Sequence, residues 1–221
     1  VEQGSRELDS LTSEMLLGRI GREVTRFELI LNAEDYYLNQ LRIEINENIE
    51  EKNYIKAKEK INLYRQHMPA EGKVHEQFCC YMECRILIAQ NEITEKLSAL
   101  LLRAIRYTIP DYLLENCVSR RLYSPVEIEL IRMHITYNDR KCECNEVELF
   151  LIMDFVTEFY SLKQQEKIEI PLLVDCVKYE IALEKYNRAL ASIERAFSGS
   201  EYAICWRIAF LKSTGVELCP E

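Results

Sequence analysis

The sequence predicts an all-α protein, an α-solenoid of stacked helix hairpins. Three observations lead there. Apolar residues recur at three- and four-residue intervals along most of the 221 residues, and no stretch sustains the two-residue alternation of a half-buried strand. Six glycines and five prolines are too few to turn a sandwich or barrel, yet enough to separate long helices. One spacing also occurs twice: Tyr54-x-x-Ala57-x-x-x-Ile61-x-x-Tyr64 returns as Tyr186-x-x-Ala189-x-x-x-Ile193-x-x-Ala196. A small residue three places after a tyrosine, with bulk four and seven places further on, lets one helix press closely against another.

Taken in order, residues 8–21 read as a short amphipathic helix, with Leu8, Leu11, Met15, Leu16 and Ile20 on its apolar face and Gly21 as its stop. A hinge-like segment from Arg22 to Leu31 follows. Asn32-Ala33-Glu34-Asp35 caps a long helix to about Glu50, whose inner face is Tyr37, Leu38, Leu41, Ile45 and Ile49. Its partner starts at Asn53 and ends at Pro69 and Gly72. A second pair covers Val74–Asn91 and Thr94–Thr108, closed by Ile109-Pro110-Asp111, with a short helix from Leu113 to Ser119 after it.

Ser124-Pro125-Val126-Glu127 is a strong start: serine caps, proline suits the first turn, and glutamate reaches back to the cap. That helix runs to about Asn138. Asn145 to Leu162 is its partner, with Val147, Leu149, Phe150, Met153, Val156 and Phe159 inside. Pro171 opens another helix to Leu183, Tyr186–Phe197 pairs with it, and Glu201–Ser213 is last.

Composition bounds the function. With 48% apolar and 29% charged residues the chain is expected to fold in water, and its net charge of −9 disfavours a broad grip on nucleic acid. No apolar run approaches the ~18 residues of a membrane span. Nine cysteines without a C-x-x-C pair read as reduced thiols packed as small hydrophobes, and so as a cytoplasmic protein. The chain begins at Val1 rather than methionine, so further sequence upstream is expected.

The repeated spacing resembles the second helix of a tetratricopeptide unit, whose stacked pairs form a curved superhelix with a groove. It fits the pairs at 38–71 and 170–203 well, and the pair ending at Pro110 loosely, through Leu97, Leu101 and Ala104. At the other end, Glu2-x-Gly4-x-Arg6, Leu11 and Met15-Leu16-Leu17-x-Arg19-Ile20-Gly21 resemble the end of a Xre-type helix-turn-helix domain. The alternative there is a leader helix packed on the repeats. With Phe27-Glu28-Leu29-Ile30-Leu31-Asn32-x-Glu34-Asp35-Tyr36 and the Thr108-Ile109-Pro110-Asp111 break, essentially the whole chain resembles the Rgg/PlcR-like bacterial transcription regulators.

That resemblance implies two regions: 1–31, the remnant of a helix-turn-helix domain plus linker, and 32–221, a tetratricopeptide-like repeat domain. It implies a cytoplasmic homodimer, contacting DNA through a mostly absent N-terminal domain and sensing short signalling peptides in its concave face. Ser5 and Arg6 match positions that touch DNA phosphate in that family, contacts that position without specifying sequence.

An extended peptide buried in a groove needs partners for its backbone, and asparagine offers a donor and an acceptor together. The first helix of a pair lines the concave side, which places Asn39, Arg42 and Asn46 on one inward stripe. Val174 and Lys178 take the matching places in the last repeat, and Arg85 and Arg132 lie on intermediate first helices. A basic residue there holds a peptide carboxylate by a charge-assisted bond. The expected ligand is therefore a short peptide or protein segment; the competing reading is a scaffold for protein–protein contacts without a small ligand.

Chemistry finds little support. His75 and Cys79, four apart, and Cys142-x-Cys144 each fall short of the four ligands zinc needs. His67, His75 and His134 accompany no nucleophile motif such as G-x-S-x-G, there is no glycine-rich phosphate loop, and the Glu47–Glu51 run reads as a solvated helix face. No enzyme, metal or cofactor is expected.

Overall fold

The computed structural model describes residues 8–22, 32–113, 122–137 and 143–182, with 185, 187–189 and 191. Regular structure among the described residues is entirely helical: α1 Ser10–Arg19, α2 Ala33–Glu50, α3 Tyr54–His67, α4 Lys73–Ala89, α5 Glu95–Arg106, α6 Pro125–Tyr137, α7 Glu143–Phe159 and α8 Leu162–Ala182. The chain divides into two compact units, Val1–Asp139 and Arg140–Glu221. The expected helices at Tyr186–Phe197 and Glu201–Ser213 lie wholly or largely outside the described residues. So does the one after Leu113, a residue that itself sits in a turn at φ 62°.

Helix starts follow local polar chemistry. Asn32 accepts from Asp35 N at 2.9 Å, and Asp9 caps α1 by accepting from Thr12 N at 2.9 Å and Thr12 Oγ1 at 2.8 Å. At α6 the capping box is reciprocal: Ser124 N donates to Glu127 Oε2 at 2.7 Å, while Ser124 Oγ accepts from Glu127 N at 3.3 Å. Three helix ends share one geometry. After α1, α2 and α4 the chain passes through left-handed backbone at Gly21, Lys52 and Asn91. Beyond these residues Arg22 N, Asn53 N and Glu92 N reach back to the carbonyls of Leu17, Asn48 and Leu87 at 3.0, 2.7 and 2.9 Å.

In the first unit α2 packs on α3, α3 on α4, α4 on α5 and α5 on α6, while α2 also touches α4. Leu38, Leu41, Ile45 and Ile49 of α2 meet Ala57, Ile61 and Tyr64 of α3 and Phe78, Cys79, Met82 and Ile86 of α4 in one core. Ala57 is fully buried, as close helix contact at that place requires. Tyr37 departs from the expected inner face; it is 40% exposed and rests edge-on against His67, ring centroids 5.0 Å apart. Leu97, Leu101, Ala104 and Ile105 of α5 and Ile128, Leu130 and Ile131 of α6 are likewise buried.

α1 belongs to this unit. It packs against α4 and α6, and its Leu11 enters the core. Its orientation corrects the expectation from sequence: Leu8, Leu16 and Ile20 face solvent, whereas Ser10, Leu11 and Gly18 are buried.

In the second unit α7 packs on α8, burying Leu149, Ile152, Met153, Phe155, Val156, Leu172, Leu173 and Cys176. Phe159, expected inside, is 42% exposed and stacks on buried Phe155 at 5.0 Å. Pro171 does not open a helix but lies inside α8. The good helix formers Lys163 to Lys167 start the helix earlier, and burial of Leu172, Leu173 and Cys176 offsets the proline's cost of about 3 kcal/mol. Ala189, the second repeated alanine, is fully buried.

Candidate functional site

α2 carries two stripes. Beside the apolar one lies a polar one, Asp35, Asn39, Arg42 and Asn46, at steps of four, three and four that keep it on one face. α1 lies across this stripe and the starts of α4 and α6. Ser10 donates through N and Oγ to Asp35 Oδ1, both at 3.4 Å, and Arg42 donates to Glu14 Oε2 at 2.6 Å with its guanidinium over the Phe78 ring. On α6, Glu127 binds the Arg19 guanidinium, which also reaches the Thr108 carbonyl at 3.4 Å. Gly18 permits the approach, because a Cβ there would stand 2.9 Å from Pro125 Cδ.

The α4 anchor is His75, buried against Tyr64 of α3. Burial pushes the Tyr64 phenol well above the ordinary range, so it stays protonated, and it shares a 2.6 Å hydrogen bond with His75 Nδ1. On the other side of the ring, Nε2 faces Asp9 Oδ1 at 3.1 Å. Burial works to raise the Asp9 pKa, but the contacts from His75 and Thr12 outweigh it and hold the carboxyl below its usual 3.8. Gly72 is part of the seat: a Cβ there would come within 2.9 Å of His75 Cδ2 and 3.0 Å of the Pro69 carbonyl oxygen.

The polar stripe of α2 is incompletely satisfied. Asp35 Oδ2, Arg42 Nε and both amide atoms of Asn39 are buried without a hydrogen-bond partner. Such atoms each cost about 1–3 kcal/mol in lost hydration. Beyond its first turn, a helix has its backbone N–H and C=O groups engaged internally and offers a neighbouring amide few backbone partners.

The expected peptide-reading residues separate into three groups. Asn39 and Arg42, expected to be open, are closed off at 2% and 5% exposure, and Glu14 of α1 is bonded to Arg42. Asn46, Arg85 and Arg132 form a partly exposed band across α2, α4 and α6. Asn46 Nδ2 donates to the Arg42 carbonyl at 2.8 Å, its Oδ1 accepts from Arg85 at 2.6 Å, and Arg85 lies over the Tyr81 ring. Arg132 pairs with Glu129 at 2.6 Å. Both sit near the Tyr81 phenol, which burial raises, Glu129 raises further, and Arg85 and Arg132 oppose. Lys178 is exposed on α8, in the second unit. Ser5 and Arg6 lie outside the described residues.

Searches against protein-family models, curated proteins and solved structures match nothing to this chain. Residue chemistry alone therefore carries the reading. Asp9 and Glu14, which fasten α1, escaped sequence reasoning; the Asp9-x-x-Thr12 cap was the one legible trace of either. Glu127 was legible only as a cap, not as the partner of Arg19.

Other groups in the first unit are quiet. Burial pushes the Cys79 thiol up to about 12 and raises those of Cys80 and Cys84, so these cysteines remain protonated. Among the described residues no three His, Cys, Asp or Glu side chains converge as metal ligands. The Cys142-x-Cys144 pair lies outside the described side chains. A shallow, open depression of about 410 Å³ on α5 is lined by Ala99, Leu102, Arg103, Arg106 and Tyr107, and it includes none of the expected site residues. No helix among the described residues is long and apolar enough to cross a membrane.

Proposed function

We propose that this chain is the sensing and dimerisation part of a cytoplasmic transcription regulator, gripping a short peptide or protein segment on the face shared by α2, α4 and α6. The helix pairs then act as tetratricopeptide-like hairpins of a solenoid, and that face is its concave side. One observation carries the reading: the face already holds a chain segment, α1, by side chains of Asp35, Arg42, His75 and Glu127. The band of Asn46, Arg85 and Arg132 beside it offers further donors for a segment's carbonyls and carboxylates.

The transcriptional half rests on the resemblance of the first residues to the end of a Xre-type domain. The outward stripe of Leu8, Leu16 and Ile20 supports it, since a helix with apolar residues turned to water is suited to closing the core of an upstream domain. A ligand acts by favouring one arrangement through differential contacts. No catalysis is assigned.

Isothermal calorimetry against a library of short peptides tests the sensing half. Binding that weakens at least tenfold on Asn46→Ala or Arg85→Ala is expected; no binding across the library removes the claim. The second reading is a scaffold that holds a protein partner or another copy of the chain, favoured by the same apolar stripe on α1. Solution mass with and without Leu16→Glu separates them, because only the scaffold loses its assembly by that change.

A further inference from the structure

The geometry points to α1 as a releasable latch, an internal occupant of the segment-binding face that an incoming segment must displace. The inference rests on the proposed reading of that face and adds its regulation. α1 is held by polar side chains at its rim: Asp9 on His75, Ser10 on Asp35, Glu14 on Arg42 and Arg19 on Glu127. Only Leu11 contributes a large apolar side chain to the core, while Leu8, Leu16 and Ile20 face away. The docked helix leaves Asp35 Oδ2 and Arg42 Nε, on the very residues it binds, unpaired, and the Asn39 amide between them on the same stripe is buried without a partner.

An extended segment matches better. Its backbone presents free N–H and C=O groups, which Asn39 can pair together, and a carboxylate on it can take Glu14's place on Arg42. Exchange therefore replaces buried unpaired atoms by paired ones, and α1 is released with its apolar stripe. Opening of a single weakly seated helix, well below global unfolding, is the motion this needs.

The test uses the full 221-residue chain. Amide hydrogen exchange is expected to run at least a hundredfold faster at Glu14 to Leu17 than at Lys60 to Leu63 of α3; equal protection overturns the latch. The second arm is a fluorescein-labelled synthetic peptide of residues 8–22, titrated into wild type and into the Glu14→Lys/Gly18→Val chain, in which α1 loses its Arg42 contact and its clearance at Pro125. Binding at least tenfold tighter to the variant is expected. Equal affinity overturns the latch and leaves the segment-binding reading standing. Absence of binding to a variant whose α1 amides exchange freely removes the segment-binding reading itself. A peptide carrying Glu14→Lys is expected to bind at least tenfold more weakly than the unaltered peptide, and unchanged binding counts against displacement at Arg42.

Discussion

Two buried histidines of the first unit, each set against a tyrosine from the preceding hairpin, sit in different electrostatic surroundings. His75 shares a 2.6 Å hydrogen bond with Tyr64 and faces the Asp9 carboxylate. His134 stands 3.5 Å from the Tyr112 hydroxyl, with the Arg106 guanidinium as its charged neighbour. The ring centroids are 5.7 Å apart in both pairs, so packing is similar while polarity is not. One histidine is a fastening point for α1; the other is a neutral member of the α5–α6 core. Similar residue pairs thus acquire different roles from the single charge brought beside them.

The largest effect expected from this difference is a pH response at His134. Burial, then Arg106, lower its pKa from 6.5 to about 4. As pH falls from 6.5 to 4 the unfolded chain takes up a proton that the folded chain refuses, so stability falls over that window. The limit is about 3 kcal/mol. Urea unfolding at pH 7 and pH 4.5 measures it, and His134→Gln is expected to flatten the dependence; parallel curves for variant and wild type would refute the assignment.

Next comes Glu127, the α6 anchor of α1 and its own helix's cap. Glu127→Ala leaves Ser124 N without its acceptor and Arg19 without its carboxylate. Because Arg19 is a quarter exposed and can relax toward water, about 2 kcal/mol is expected rather than the full cost of a broken buried pair. Thermal unfolding checks it, and a change under about 0.5 kcal/mol would mean that α1 is not fastened there.

A direct contrast between the pairs follows from their hydrogen bonds. Tyr64→Phe removes a short bond to a fully enclosed imidazole and is expected to cost about 1–2 kcal/mol, whereas Tyr112→Phe, at 3.5 Å, costs about 0.5 kcal/mol. Equal costs would dissolve the contrast. A further effect of similar size is expected at Asp9. Its depressed pKa contributes stability that is present above pH 3.8 and lost as pH falls through the folded value. Asp9→Asn preserves a capping side chain but removes the charge, so about 1 kcal/mol is expected, with a shallower acid limb below pH 4. An unchanged acid limb would assign that limb to other carboxylates.

Local chemistry was the legible part of this fold. Asn32, Ser124 with Glu127, and Gly21 announced their helix ends because caps and left-handed turns act within four residues. Ala57 and Ala189, singled out by the repeated spacing, are both fully buried. What periodicity could not supply was the partner of each face. α1 has a clear apolar stripe, yet only its Leu11 edge enters the core, while Leu8, Leu16 and Ile20 stay outside and polar contacts to α2, α4 and α6 set its orientation. The same limit explains why Asn39 and Arg42 were placed on the right stripe but not under a cover. Tyr37 and Phe159 sit at the margins of their stripes, where a rotation of one residue decides exposure. Pro171 misled because a proline is permitted at a helix start and merely costly inside.

The rim attachments of α1 make one more behaviour expected. Asp9, Glu14 and Arg19 are each between about a quarter and a third accessible to water, whereas the core that holds Leu41 and Ile61 is sealed. Mobile ions screen the former and leave the latter untouched. A rise in ionic strength should therefore loosen one helix while the melting of the remainder stays where it was, so the molecule carries a part that senses the salt around it and a body that ignores it.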